Sequence, residues 1–265
     1  MTKFGQHIGI DYSGRGKIST RTPTIQVYCC RNRSRDAECV QSPSSSDRTK
    51  RNWCRQELAV WLANQLEKDQ RLLIGIDHGF SMPISYFERY DLKSWDTFLE
   101  DFCEHWPTHR EGIDVDSIRK PNGKLKKRLS RSGATSEFRI TEQWTSSAKS
   151  VFQFDMQGSV AKSTHTGIPW LHYLRTKFRK RLHFWPFDGW KPDPQKSVIA
   201  EVYPSIFRNR YPREDRTVDQ QDAYCVAKWL AAADEERILH RYFDPPITAS
   251  ERTIADREGW ILGVC

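Results

Sequence analysis

The sequence predicts an α/β fold in which helices pack on a mixed sheet. Short apolar, β-branched runs recur at 7–11, 24–29, 37–41, 71–77 and 197–203. Two other stretches, 52–68 and 219–238, space their apolar residues as helices do. The order strand, strand, strand, helix, strand, followed much later by strand and helix, suits elements that share one sheet.

Each element has its own local reason. His7-Ile-Gly-Ile-Asp11 is an apolar run that ends in an acid and the glycine-rich turn 12–16, so it reads as a buried strand. Thr24-Ile-Gln-Val-Tyr-Cys29 alternates, and Ala37-Glu-Cys-Val-Gln41 forms a possible third strand before the serine loop 42–46. Cys54, Leu58, Trp61, Leu62 and Leu66 lie on one helical face. Arg71-Leu-Leu-Ile-Gly-Ile-Asp77 is the cleanest buried strand, and it too ends in Asp. Ser197-Val-Ile-Ala-Glu-Val-Tyr203 is the fifth. Ala223, Val226, Ala227, Leu230 and Ala231 form the stripe of the last long helix. The reading is a single domain with its core at 7–83 and 196–265. A long basic insertion fills about 85–195.

Composition excludes several classes. Of 265 residues, 37% are hydrophobic and 29% charged, too polar for a membrane protein. An aromatic share of 12% with ten Trp is too rich for a disordered chain. No apolar run approaches the ~20 residues of a membrane span. The first residues carry no signal-peptide core, so the expected location is cytoplasmic. Seven Cys without a C-x-x-C pair suggest neither a disulfide framework nor a zinc site. The net charge of +8 leans towards a polyanionic partner.

The acids carry the candidate chemistry. Asp11 and Asp77 both end apolar strands, and ligands of α/β sheets bind beyond the carboxyl ends of strands. On neighbouring strands ~4.8 Å apart they could share a cation. Without one, two carboxylates ~4 Å apart repel by about 4 kcal/mol at an effective dielectric of ~20. Asp219 and Asp222 precede Ala223 and Val226 by four residues each, which puts both on the helix's inward stripe. Glu201 interrupts a buried apolar run, a costly position unless it is paired or bound to metal. Each acid also has a plainer reading. A strand-end Asp can start a turn, a helix-start Asp can cap, and Glu201 can face water from an edge strand.

Five segments occur in a fixed order: Ile8-Gly-Ile-Asp-Tyr-Ser-Gly14, Ile74-Gly-Ile-Asp-His-Gly-Phe-Ser-Met-Pro83, Glu201-Val-Tyr-Pro-Ser205, Asp219-Gln-Gln-Asp-Ala-Tyr-Cys-Val-Ala227 and Glu258-Gly-Trp-Ile-Leu-Gly263. Together they resemble an uncharacterised family of predicted RNase H-like nucleases, a domain-of-unknown-function group, and are more distantly similar to RuvC-type resolvases. The resemblance implies an RNase H-like mixed five-stranded sheet flanked by helices. It implies Asp11 on the first strand, Asp77 on the fourth, and Asp219 and Asp222 at the start of the last helix. Glu201 and Glu258 match acids of the family's motifs. The implied activity is metal-dependent phosphodiester hydrolysis. Its catalytic set is Asp11, Asp77, Asp219, Asp222 and Glu201, and two Mg²⁺ or Mn²⁺ ions ~4 Å apart would be held by the four Asp residues.

The middle segment has no counterpart in those motifs. Residues 119–131 hold seven Lys/Arg and no acid. Lys124, Lys126, Lys127, Arg128 and Arg131, joined by Arg179 and Lys180 from a second basic run, are the expected phosphate contacts on DNA or RNA. The expected partner is nucleic acid, with no membrane involved. The competing reading is a non-catalytic nucleic-acid-binding or regulatory module on the same fold. A further alternative, an actin-like phosphate-transfer enzyme, would need a duplicated half that the sequence lacks.

Overall fold

The computed structural model describes residues 4–31, 36–120, 122–123, 131–145 and 147–265. At its centre two Ile-Gly-Ile-Asp quartets lie side by side. They end strands β1 (Gln6–Asp11) and β4 (Leu72–Asp77), which run parallel. Ile8 pairs with Ile74, Gly9 with Gly75, Ile10 with Ile76 and Asp11 with Asp77.

Around this pair the chain adds β2 (Gln26–Arg31), β3 (Glu38–Cys39) and α1 (Arg55–Leu66) before β4. The middle contributes α2 (Ile84–Arg89), α3 (Trp95–His105), α4 (Val115–Arg119), α5 (Ile140–Trp144), α6 (Ala161–Phe178) and β5 (Leu182–Phe184). Then come β6 (Ser197–Glu201), α7 (Val218–Glu235), α8 (Leu239–Phe243) and α9 (Ala249–Glu258). The sheet order is β3-β2-β1-β4-β6-β5. β2 is antiparallel to both its neighbours, and β1, β4, β6 and β5 are mutually parallel.

The expectation of a mixed α/β sheet flanked by helices holds, but the strand count does not. Six strands form the sheet, and Leu262 adds a one-residue parallel bridge at Val202. The extra strand, β5, comes from the segment read as an insertion. Its Leu182-His-Phe184 is too short for a periodic signal, and β6 recruits it by parallel pairing. That segment also completes the core. Phe98, Leu99 and Phe102 of α3 and Ile168, Leu171 and Leu174 of α6 join Leu58 and Leu62 of α1 in one apolar cluster. The third strand is shorter than predicted, only Glu38–Cys39, because both its residues are exposed at the sheet edge.

A period of two sorts the strand side chains. Ile8, Ile10, Leu72, Ile74, Ile76 and Ile199 face α1, α3 and α6. Leu73, Val198, Ala200 and Val202 face α7, α8 and α9, packing with Val226, Trp229 and Leu230. Gly9 and Gly75 fall on the second face, where α7 crosses. A methyl at Gly9 would lie 2.2 Å from the Ala223 carbonyl oxygen and 2.6 Å from the Ala227 nitrogen. Both are helix backbone and cannot turn aside. Overpacking of this kind costs about 1–3 kcal/mol or more. Gly9→Ala should therefore lower the free energy of unfolding in denaturant by that amount, while alanine at Gly5, whose Cβ would lie 3.6 Å from its nearest neighbours, should fall well short of it. Equal effects would mean that α7 does not rest on Gly9.

Candidate metal centre

The phase that puts Gly9 and Gly75 under α7 carries on to Asp11 and Asp77, two residues later on the same face. Thr217 caps α7 in a reciprocal capping box with Gln220, which fixes where the helix begins. That start places Asp219 in the first turn and Asp222 one turn in, on the buried side. The four Asp residues predicted from sequence therefore line one cleft of about 690 Å³.

Electrostatics in the cleft are lopsided. Asp11 is 9% exposed, and neither its carboxylate nor that of Asp77 accepts a hydrogen bond from any described residue. Burial, followed by the charges of Asp77, Asp219 and Asp222, pushes the Asp11 carboxyl well above the usual carboxylate range. Asp77 is pushed up to about 8, by burial first and then by Asp222 and Glu201. Burial and Asp222 also raise Asp219. Arg208, which sequence reasoning missed, is the cation opposing these shifts. It stands in the short 3₁₀ turn Arg208–Arg210 between β6 and α7, and its guanidinium forks onto Asp222. Nε donates to Oδ1 at 2.5 Å and Nη2 to Oδ2 at 2.5 Å. Nothing in local spacing marks this arginine, because the partner lies fourteen residues away through a turn.

Among the described residues, no group of three or more His, Cys, Asp or Glu side chains is set to hold one metal ion. Asp222, expected as a shared ligand, has both oxygens on Arg208 instead. The donor set nevertheless suits a hard cation. It consists of carboxylates, two of them buried side by side without a donor among the described residues.

Glu201 lines the same cleft but is differently engaged. It falls in phase with Ile199 and lies inside the sheet, between β4 and β5, so it is not an edge residue facing water. Arg139 donates to both its oxygens at 2.7 and 2.6 Å, and the Phe80 backbone N–H donates at 2.9 Å. Arg139 also donates to Glu142 at 2.9 Å. Glu258 accepts from the backbone N–H groups of Ile140, at 2.6 Å, and Ile84. Burial first pushes Glu258 up to about 7. These acids tie α2, α5 and α9 to β6, and the loss of one buried partner strands the other charge. Glu201→Gln should thus cost about 3–5 kcal/mol in urea unfolding. A cost near zero would show Glu201 to be free for a ligand.

The basic candidates separate. Lys124, Lys126, Lys127 and Arg128 lie outside the described residues. Arg131 turns inward, bonding Asp101 at 2.7 Å and lying over the Tyr90 ring at 4.0 Å, which fixes it as a packing residue and not a phosphate contact. Lys180 is exposed and Arg179 is 74% exposed, with Asp96 at 3.8 Å. Both follow the C-terminal end of α6, whose N-terminal end borders the cleft. At 1.5 Å per residue, the 18 residues of α6 set its two ends about 27 Å apart. The adjacent His78 is buried. Its Nδ1 meets the Gly79 carbonyl at 2.9 Å, and burial pushes it down to about 4, so the ring is neutral.

No protein-family model, curated protein or solved structure matches this chain.

The raised Asp77 carboxyl gives a pH signature. Between the ordinary carboxylate range and about pH 8 the folded state holds a proton that the unfolded chain has released. Stability from this group is full at low pH and is lost as pH rises towards that value. In EDTA, the wild type should lose melting temperature between about pH 5 and about pH 8 relative to Asp77→Asn, which cannot titrate there. Curves that stay parallel would mean that Asp77 ionises as an ordinary carboxyl.

Proposed function

We propose that this protein is a metal-dependent nuclease of the RNase H-like kind, hydrolysing phosphodiester bonds of nucleic acid. The observation that carries the reading is the in-register pairing of Asp11 and Asp77 at the ends of β1 and β4, buried, with no donor among the described residues. The resemblance implies acids on the first strand, the fourth strand and the start of the last helix; Asp11 on β1 and Asp77 on β4 support the reading, whereas α7, which bears Asp219 and Asp222, is followed by α8 and α9.

Asp11, Asp77 and Asp219 are the residues that would hold Mg²⁺ or Mn²⁺. Such an ion supplies Lewis-acid polarisation of the phosphodiester and a water acidic enough to attack near neutral pH. The chain's own part is to orient. The paired strands fix the spacing of Asp11 and Asp77, and α7 sets Asp219 above them. Ser13 and Tyr203 line the cleft beside them and offer hydroxyl donors to phosphate oxygens. Arg179 and Lys180, a helix length away, would meet the strand only at a distance from the reacting bond.

The second reading, a non-catalytic nucleic-acid-binding module, has one observation in its favour. The Arg208 fork already neutralises Asp222. Metal separates the two. Binding to the folded state alone stabilises it by about 2.7 kcal/mol at a hundredfold excess over Kd. The wild-type melting temperature should therefore rise with Mn²⁺. Asp11→Asn should abolish that rise, together with cleavage of labelled single-stranded, duplex and branched substrates, and should be as stable as the wild type in EDTA, or more so. A wild type whose melting ignores Mn²⁺ and Mg²⁺ would give the case to the binding module.

A further inference from the structure

The cleft holds four Asp side chains, and the arginine seated among them is half exposed. Arg208 has 41% of its side chain open to solvent, whereas Asp222 has 9%. Only one edge of the guanidinium is engaged, Nε and Nη2 on the two oxygens of Asp222. Nη1 has no partner among the described residues. The backbone beneath is held independently of the fork, since Gln221 donates to the Arg208 carbonyl at 3.4 Å and to the Tyr211 carbonyl at 2.9 Å. The side chain can therefore leave Asp222 without the turn unravelling. Arg139 differs in this respect. It is 1% exposed, and both Glu201 and Glu142 hold it.

Given the nuclease reading on which this rests, we infer that Arg208 is an exchangeable counter-ion: it occupies the cation's place at Asp222 in the metal-free protein and passes to a phosphate oxygen of the substrate when a divalent ion claims Asp222. Three features support the exchange. Asp222 is one turn from Asp219 on the inward side of α7, so release of its two oxygens adds the ligand that the cleft lacks. A guanidinium fork fits phosphate as well as carboxylate. Arg208 and the acids line the same cleft, so the transfer needs only side-chain rotation. Arg208 is thus a phosphate-positioning residue whose seat is free only in the loaded site.

The test measures two affinities that a merely structural arginine would move in the same direction. Mn²⁺ binding is titrated calorimetrically for the wild type and Arg208→Gln. Binding of a fluorescent single-stranded oligonucleotide is then measured in Ca²⁺, chosen to occupy the site with little turnover. Removal of the competitor should tighten Mn²⁺ binding by on the order of tenfold. The same change should weaken oligonucleotide binding by a similar factor, because the phosphate contact is gone. Arg208→Lys retains charge without the fork, should fall between the two, and takes the place of the Gln variant should that variant not fold. Wild type that binds Mn²⁺ with variants that bind it equally or more weakly would overturn the exchange and leave the nuclease reading standing. A wild type and variants that all fail to bind Mn²⁺ would overturn both. A variant that binds Mn²⁺ where the wild type does not would overturn the exchange, because Arg208 would then never yield Asp222 to the ion.

Discussion

The seating of α7 on two glycines is the contact on which the rest of this structure depends. Gly9 and Gly75 are neighbours in register, and α7 lies so close that the Ala223 carbonyl and the Ala227 nitrogen fill the space a Cβ at Gly9 would need. Strand spacing is fixed near 4.8 Å by hydrogen bonding. The helix has one height above the sheet where its own backbone is the contact surface. Asp11 and Asp77 follow those glycines by two residues, and Asp219 and Asp222 precede the contacting turn. The four carboxylates thus share one cleft because of packing, while the repulsion among Asp11, Asp77 and Asp219 opposes it. The interior supplies the opposing free energy through Val226, Trp229 and Leu230 against Leu73, Val198 and Val202.

Two carboxylate systems therefore share one cleft but follow different rules. Glu201, Glu142 and Arg139 form a closed set in which one buried guanidinium serves two carboxylates and solvent is excluded. Such a set fixes geometry, because any change in partner leaves a buried charge alone. Asp11, Asp77 and Asp219 have no matching donors among the described residues, and burial and mutual repulsion raise their affinity for protons. A group that holds a proton for want of a cation is a group that a cation can discharge. The closed set braces α5 and α9 against β6 around the open set.

Much of this was legible in the sequence, for identifiable reasons. Five of the strands carried a run or alternation long enough to read, and the two strand-end Asp residues announced the cleft because sheet ends are where backbone and side chains open to ligands. The inward phase of Asp219 and Asp222 followed from 3.6-residue spacing alone. What failed to show depended on partners distant along the chain. β5 has three residues and exists because β6 offers an edge. Arg139 reaches Glu201 across 62 positions, and Arg131 reaches Asp101 across 30, so a list of basic residues could not say which face inward. One signal was present and unread. Counting by twos from Gly9 and Gly75 puts Asp11 and Asp77 on the α7 face, and counting by twos from Ile199 puts Glu201 on the other.

That parity also explains why charge along the chain is a poor guide to a phosphate path here. The basic run around the C-terminal end of α6 stands at the far end of a helix about 27 Å long, at 1.5 Å per residue for 18 residues, from the end that borders the cleft. Arg175, within the same run, is turned onto Asp96 at 2.8 Å and Asp188 and contributes to packing. Residues far from the motif in composition, such as Arg208, stand at the centre because the turn after β6 returns the chain to the carboxyl end of the sheet. The positive charge that matters to the cleft is thus set by where strands end and helices begin. Arg179 and Lys180, at the far end of α6, reach the cleft only through a field that falls off within about 10 Å at 0.1 M salt.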